Sequence, residues 1–170
     1  MRPLILSGGP AVGKTTCGRL LAGERPRAAF IDADDIRQLV VAGSATLWNG
    51  PEGLAQHRLA ARNVASLCRD FAEAGFEVVV ADVVTAEVLE TYRRELPTAF
   101  VVHLAIGLDG ARDRAATRRV YLTDDEFDLL HRMLADPPPV DLVLDVDGLS
   151  LGEQTARLRE AWAGASGGGS

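Results

Sequence analysis

The stretch Leu4-Ile5-Leu6-Ser7-Gly8-Gly9-Pro10-Ala11-Val12-Gly13-Lys14-Thr15-Thr16 joins an apolar, strand-like run to a helix-like one through a glycine-rich turn. Residues 8–15 fit the pattern G-x-x-x-x-G-K-[ST], and Cys17, Leu20 and Leu21 continue it as the apolar side of a helix. Each position has a chemical reason. Glycines let backbone N–H groups wrap around phosphate oxygens with no Cβ in the way. A helix that starts beneath them offers its positive end to the same anion. An ammonium at position 14 reaches the β- and γ-phosphates of a nucleotide, and a hydroxyl at position 15 can ligate Mg²⁺. Gly8, Gly9, Pro10, Ala11, Val12, Gly13, Lys14, Thr15 and Thr16 are therefore the expected site for ATP or GTP with Mg²⁺. A chance match is the competing explanation, and composition opposes it. Lys14 is the single lysine among 18 basic residues, which marks a place where a compact ammonium is wanted instead of a planar fork.

Working outward, short apolar runs recur at Ala28 to Ile31, Val78 to Ala81, Phe100 to Leu104 and Leu142 to Leu144, the texture of strands buried on both faces. Helical patterns separate them. Ala60, Val64, Leu67, Phe71 and Ala74 repeat at intervals of 4, 3, 4 and 3 and stop at Gly75. Thr123 to Glu126 and Ser150 to Glu153 read as capping boxes, and Pro97 closes a helix that starts near Thr85. This alternation predicts a three-layer α/β/α domain with a five-stranded parallel sheet. Ligands of such sheets bind beyond the carboxyl ends of the strands. The expected domain covers residues 1–163, with 164–170 a flexible Gly/Ser tail.

Composition narrows the function classes. A chain of 170 residues with 47% apolar and 25% charged residues has the mixture of a folded domain. A net charge of −6 gives no reason to expect nucleic-acid binding. No apolar run approaches the ~20 residues of a membrane span, and the short run before Gly8 does not make a signal peptide, so a cytoplasmic protein is expected. Cys17 and Cys68 are too few for a disulfide framework or a zinc site and read as packed thiols. His57, His103 and His131 show no metal-ligand spacing and read as structural. Nothing in the sequence speaks to oligomeric state.

Phe30-Ile31-Asp32-Ala33-Asp34-Asp35-Ile36-Arg37 follows the second strand and sets three carboxylates on the edge that carries the glycine loop. Phosphoryl transfer needs a carboxylate there, to orient or deprotonate an attacking hydroxyl or to hold metal-bound water. Capping of the next helix is the plainer role, and one of the three is expected to serve it. Asp34 is the first choice for the base and Asp32 the second, with Asp32 also a candidate for the Mg²⁺ shell. Asp82, which ends the third strand, is expected to serve Mg²⁺ or substrate; a plain loop aspartate is the alternative.

These motifs resemble the small P-loop kinases that phosphorylate a hydroxyl of a small molecule. Within that group the arrangement is similar to the chloramphenicol phosphotransferase-like antibiotic kinases, and it also resembles adenylylsulfate kinase. Asp32-Ala33-Asp34-Asp35-Ile36-Arg37 is similar to the latter's Asp-Gly-Asp-Asn-x-Arg, and Arg62-Asn63 followed by Phe71 to Gly75 is similar to the helix after it. The departures are as informative. Adenylylsulfate kinases carry Ile-Ser-Pro after the third strand, where this chain has Val83-Val84-Thr85. The Asp-Gly-aromatic/Phe-Pro-Arg segment of nucleoside-monophosphate kinases and the glycine triplet of shikimate kinases are absent there too. Elimination leaves a less standard acceptor, with an antibiotic or other natural product foremost.

The resemblance also implies a mobile lid at about 108–122. Arg112, Arg114, Arg118 and Arg119 cluster there, and Arg114 and Arg118 share a helix face. Such arginines offset charge on the transferred phosphoryl group and exclude water, with Arg118 the first choice; a solvated basic face is the alternative. Acceptor selection is expected from Gly43 to Pro51, where Trp48 and Asn49 face either substrate or core. Arg37, Arg58 and Arg62 are expected to reach the same cleft and suit an acceptor with its own negative charge. The leading expectation is an NTP- and Mg²⁺-dependent small-molecule kinase. An adenylylsulfate- or nucleotide-type kinase and a nucleotide-dependent switch that transfers to water are the other two.

Overall fold

The structure, a computed structural model, describes residues 2–117 and 122–167. Along the chain run β1 (Leu4–Gly8), α1 (Lys14–Gly23), β2 (Ala28–Asp32), α2 (Ala33–Arg37), α3 (Gly50–Glu73), β3 (Glu77–Ala81) and α4 (Ala86–Glu95). They continue as β4 (Phe100–Ala105), α5 (Leu108–Ala116), α6 (Asp124–Met133), β5 (Leu142–Asp145) and α7 (Leu151–Gly167). The five strands form one parallel sheet in the order β2-β3-β1-β4-β5. All five apolar runs of the sequence become its strands, because continuous burial on both faces is what a parallel sheet demands.

Alternate residues of β1 to β4 feed two cores, and β5 adds Leu142 and Leu144 to the second while Val143 is exposed. Ile5, Val78, Val80 and Val101 pack against α3 and α4 through Ala61, Val64, Cys68, Val88 and Tyr92. Leu4, Leu6, Val79, Val102 and Leu104 pack on the other face against Cys17, Leu21, Leu158 and Trp162. Both cysteines are buried, and burial raises both thiols, Cys68 to about 12. No helix of the described residues is long and apolar enough to cross a membrane.

The helix ends follow their local chemistry. Thr123 and Glu126 close a reciprocal capping box on α6, and Ser150 and Glu153 do the same for α7. Thr85 caps α4, and Gly75, with φ of 79°, receives the chain as it leaves α3. Two boundaries differ from the sequence reading. α3 begins at Gly50, a full turn or more before its periodic apolar residues, because Pro51 suits the first turn of a helix. α7 runs to Gly167, so residues 164–167 are helix and not tail. Ala161 and Ala165 pack onto the second core beside Trp162, and an Arg2 guanidinium N–H donates to the Ala165 carbonyl.

Candidate functional site

At the carboxyl end of β1 the chain turns through residues 8–13 into α1. Gly8 and Gly13 have φ of 138° and 97°, a region that side chains oppose, and Gly13 is the N-cap residue of α1. Ala11 accepts the same region at φ 61°. Contacts from behind hold the loop in that shape. Ala11 packs on Ala111 and Phe127, and the Val12 carbonyl accepts from Gln154 Nε2 at 2.8 Å and from an Arg114 guanidinium nitrogen at 3.1 Å. Lys14 Nζ donates to the carbonyls of Gly8 and Gly9, both at 2.8 Å, so the ammonium lies along the loop it belongs to.

Asp32 ends β2 beside this loop. One carboxylate oxygen accepts the Asp34 N–H and caps α2, and the other accepts the Thr15 hydroxyl at 3.0 Å. Capping and the Thr15 contact thus belong to the same side chain. The pair joins a hydroxyl and a carboxylate at a helix N-terminus, which suits Mg²⁺, an ion that takes few protein oxygens and keeps water and phosphate as its other ligands. Among the described residues there is no group of three or more His, Cys, Asp or Glu side chains that could hold a metal ion.

Further along the cleft, three charges form a row. Arg37 donates to Asp82 at 2.7 Å on one side and to Asp34 at 2.5 Å on the other. Asp82 is sealed, with its side chain 1% exposed, while Asp34 is 70% exposed and stands at the open end. The second Asp82 oxygen accepts the Tyr92 hydroxyl at 2.6 Å, and the first also accepts the Val83 N–H. Burial works against the charge of Arg37, but Asp82 and Asp34 more than offset it and hold the guanidinium protonated. Partial loss of water to the surrounding cleft walls works to raise the Asp34 carboxyl, although the side chain itself is largely open. Arg37 and, more weakly, Lys14 and His57 overcome it and hold that carboxyl below its ordinary value. Burial, reinforced by Arg37, pushes His57 down, so its imidazole is neutral at neutral pH.

Both regions open onto one cleft of about 1300 Å³. The glycine loop from Pro10 to Thr16 lines one end, with Asp32 and Asp34 between the ends. The other end is walled by Ile36, Leu39 to Val41, Leu47, Trp48, Leu59 and Leu130, with Asn49, Gln56, His57 and Asn63 as polar points. Trp48 both lines the cleft and packs with Leu47, Val83, Leu130 and Leu134, so the two roles considered for it coincide in one half-buried ring.

Several expected residues lie elsewhere. Arg58 and Arg62 point to solvent from α3 and do not line the cleft. The helix is amphipathic, and its cleft-facing positions fall to His57, Ala60 and Asn63 instead. Arg114 does not line the cleft: its guanidinium donates to the carbonyls of Val12, Val146 and Leu149 and to the Gln154 side chain. Arg112 pairs with Asp128 and ties α5 to α6. Arg118 and Arg119 lie outside the described residues. Asp82 lines the cleft and accepts from Arg37, Tyr92 and the Val83 amide, with its side chain 1% exposed.

Four residues that carry this site escape the sequence reading. Gln154 grips the loop, and Tyr92 anchors Asp82. Gln56 clamps the segment before Trp48 by accepting from the Ala45 N–H and donating to the Gly43 carbonyl. Gly53 lets that segment approach α3 so closely that a Cβ there would lie 1.9 Å from the Thr46 carbonyl oxygen. A glycine followed four residues later by a histidine on the inner face of a helix was the one available signal, and it is weak.

No family model matches the chain, and no curated protein matches it. Solved structures do. A shikimate kinase from Bacteroides thetaiotaomicron superposes with a TM-score of 0.68 at 19% identity, covering 95% of this chain and 98% of that one. The fold is that of the P-loop kinases. A gluconokinase from Sinorhizobium meliloti gives 0.68 at 18% identity over 97% of both chains. The tunicamycin resistance protein of Deinococcus radiodurans gives 0.68 at 16% identity over 96% of both.

Proposed function

We propose that this protein is a Mg²⁺-dependent phosphotransferase that moves the γ-phosphoryl group of ATP or GTP to a hydroxyl of a small molecule, an antibiotic or related natural product being the leading class. One observation carries the reading. The glycine loop with Lys14 and Thr15 opens onto the same cleft as the exposed carboxylate of Asp34 and an apolar pocket beyond it. A switch that transfers to water has no use for that second pocket. The fold shared with shikimate kinase, gluconokinase and the tunicamycin resistance protein supports the reading.

In this mechanism the loop amides and Lys14 hold the nucleotide phosphates, and Thr15 with Asp32 would hold Mg²⁺ and its water shell. Bound Mg²⁺ supplies positive charge against the phosphate oxygens. Asp34 accepts a hydrogen bond from the acceptor hydroxyl and aligns its oxygen with the γ-phosphorus. The new O–P bond forms as the bond from the γ-phosphorus to the bridging oxygen breaks, and a nucleoside diphosphate leaves. The hydroxyl proton passes to Asp34 and then to solvent. Because Arg37 keeps the Asp34 carboxyl below its ordinary value, Asp34 is a weak base whose main work is orientation, as a loose phosphoryl-transfer transition state allows. Arg118 in the lid is the proposed partner of the transferred group.

Mass spectrometry tests this directly, with Mg²⁺, ATP or GTP, and a panel of hydroxyl-bearing antibiotics, nucleosides, sugar acids and adenylylsulfate. A product heavier by one phosphoryl group, absent with Lys14→Ala, is the expected result. Nucleotide hydrolysis that no panel member alters would point to the switch instead.

A further inference from the structure

The geometry points to an acceptor that carries no negative charge near its reacting hydroxyl and presents an apolar, ring- or chain-bearing body to the cleft. The inference rests on the phosphotransferase reading and narrows its substrate class.

Charge comes first. Of the described residues that line the cleft, Lys14 and Arg37 are the cations, and Lys14 lies along the glycine loop. Arg37 is the one cation beyond it, and both sides of its guanidinium are taken by Asp82 and Asp34. The end of that row that meets the open space is Asp34, 70% exposed, whereas Arg37 is 16% exposed. An incoming carboxylate, phosphate or sulfate therefore meets a carboxylate first and finds no unpaired guanidinium behind it. A hydroxyl, which can donate to Asp34, meets no such opposition. This departs from the expectation from Arg37, Arg58 and Arg62 of an anionic acceptor: Arg37 lines the cleft but is paired on both sides, and Arg58 and Arg62 face solvent.

The walls come second. Leu39, Val41 and Leu59 line the cleft at 72%, 94% and 40% exposure. Apolar side chains this open, in a cleft lining that also includes the Trp48 ring, are a surface for a ligand to cover. A small polyol has no apolar face to set against them.

A matched pair of probes separates the two charge classes: 1-phenyl-1,2-ethanediol and mandelate, which share a ring and a secondary hydroxyl and differ in a carboxylate. Binding is followed by calorimetry at pH 7 on the full chain saturated with ADP and Mg²⁺, so that neither probe can occupy the phosphate loop. The diol should bind at least tenfold more tightly than mandelate. Asp34→Asn should reduce that preference to threefold or less by unmasking Arg37, with ADP affinity unchanged. Equal or tighter binding of mandelate to the wild-type chain overturns the inference. So does a preference that Asp34→Asn leaves intact, or a diol that shows no saturable binding up to its solubility. Phosphorylation of gluconate or shikimate would also overturn it while upholding the phosphotransferase reading. Selective diol binding with no phosphorylated product from any acceptor would uphold the charge selection and sink that reading.

Discussion

At the proposed phosphate end of the cleft the available groups belong mainly to the backbone, whereas at the proposed acceptor end they are side chains delivered from α2, β3, α3 and the loop before it. The phosphate end is shaped by φ angles at Gly8, Ala11 and Gly13 and gripped from outside by Gln154 and Arg114. The acceptor end is shaped by the row Asp34–Arg37–Asp82–Tyr92, in which Arg37 and Asp82 meet across 45 positions of the chain. A loop read by its backbone tolerates little change and looks alike wherever triphosphate is bound. A row of side chains can be rebuilt one residue at a time.

The largest effect that would test this division is at Lys14. Lys14→Ala should reduce turnover by roughly 10³-fold or more, weaken nucleotide binding and leave the circular dichroism spectrum unchanged. Asp34→Asn should separate the two ends. Transfer falls on the order of 10²-fold while ADP affinity, measured by calorimetry, stays near wild type. If nucleotide affinity falls in step with turnover, the ends are not independent.

His103 probes the floor beneath the loop. It is buried in β4, and burial together with nearby Lys14 pushes its imidazole down to about 4. The unfolded chain therefore binds this proton at higher pH than the folded one, so stability rises as pH rises from about 4 to about 6.5 and is lost as pH falls through the same window. The full effect is on the order of 3 kcal/mol. Melting temperatures should drop across that window in the wild type and drop less in His103→Gln.

Two smaller effects concern the acceptor end alone. Gly53→Ala places a Cβ against the Thr46 carbonyl, so the segment carrying Leu47 and Trp48 must move; the acceptor KM should rise about tenfold with nucleotide KM unchanged. Tyr92→Phe leaves one Asp82 oxygen without its buried donor. It should cost about 1–3 kcal/mol in denaturant unfolding and lower kcat a few-fold by loosening Arg37. A Tyr92→Phe enzyme with wild-type kcat would mean that the row ends at Asp82.

How much of this was legible beforehand differs between the two ends for a physical reason. The motif from Gly8 to Thr15, the five apolar runs and the capping residues are local, because backbone shape and strand burial depend on neighbours in the chain. Asp32 and Asp34 were found by their place at a strand end, and Trp48 by its setting. The direction of Arg62 was misjudged because a helix wheel shows which residues share a face and not which face meets a cleft. Arg114 was misjudged because its partners, Val146, Leu149 and Gln154, come from 32 to 40 positions later.

By itself, then, the sequence determined the sheet, the phosphate loop and the presence of acidic groups beside it, all through spacing shorter than one helix. Which charges meet across the chain was decided by tertiary structure. The Arg37–Asp34 pair is local, three positions apart. Only folding brings Asp82 to Arg37, at 2.7 Å, and Tyr92 to Asp82, at 2.6 Å, so that a sealed carboxylate offsets the charge of a residue that the sequence shows only as basic.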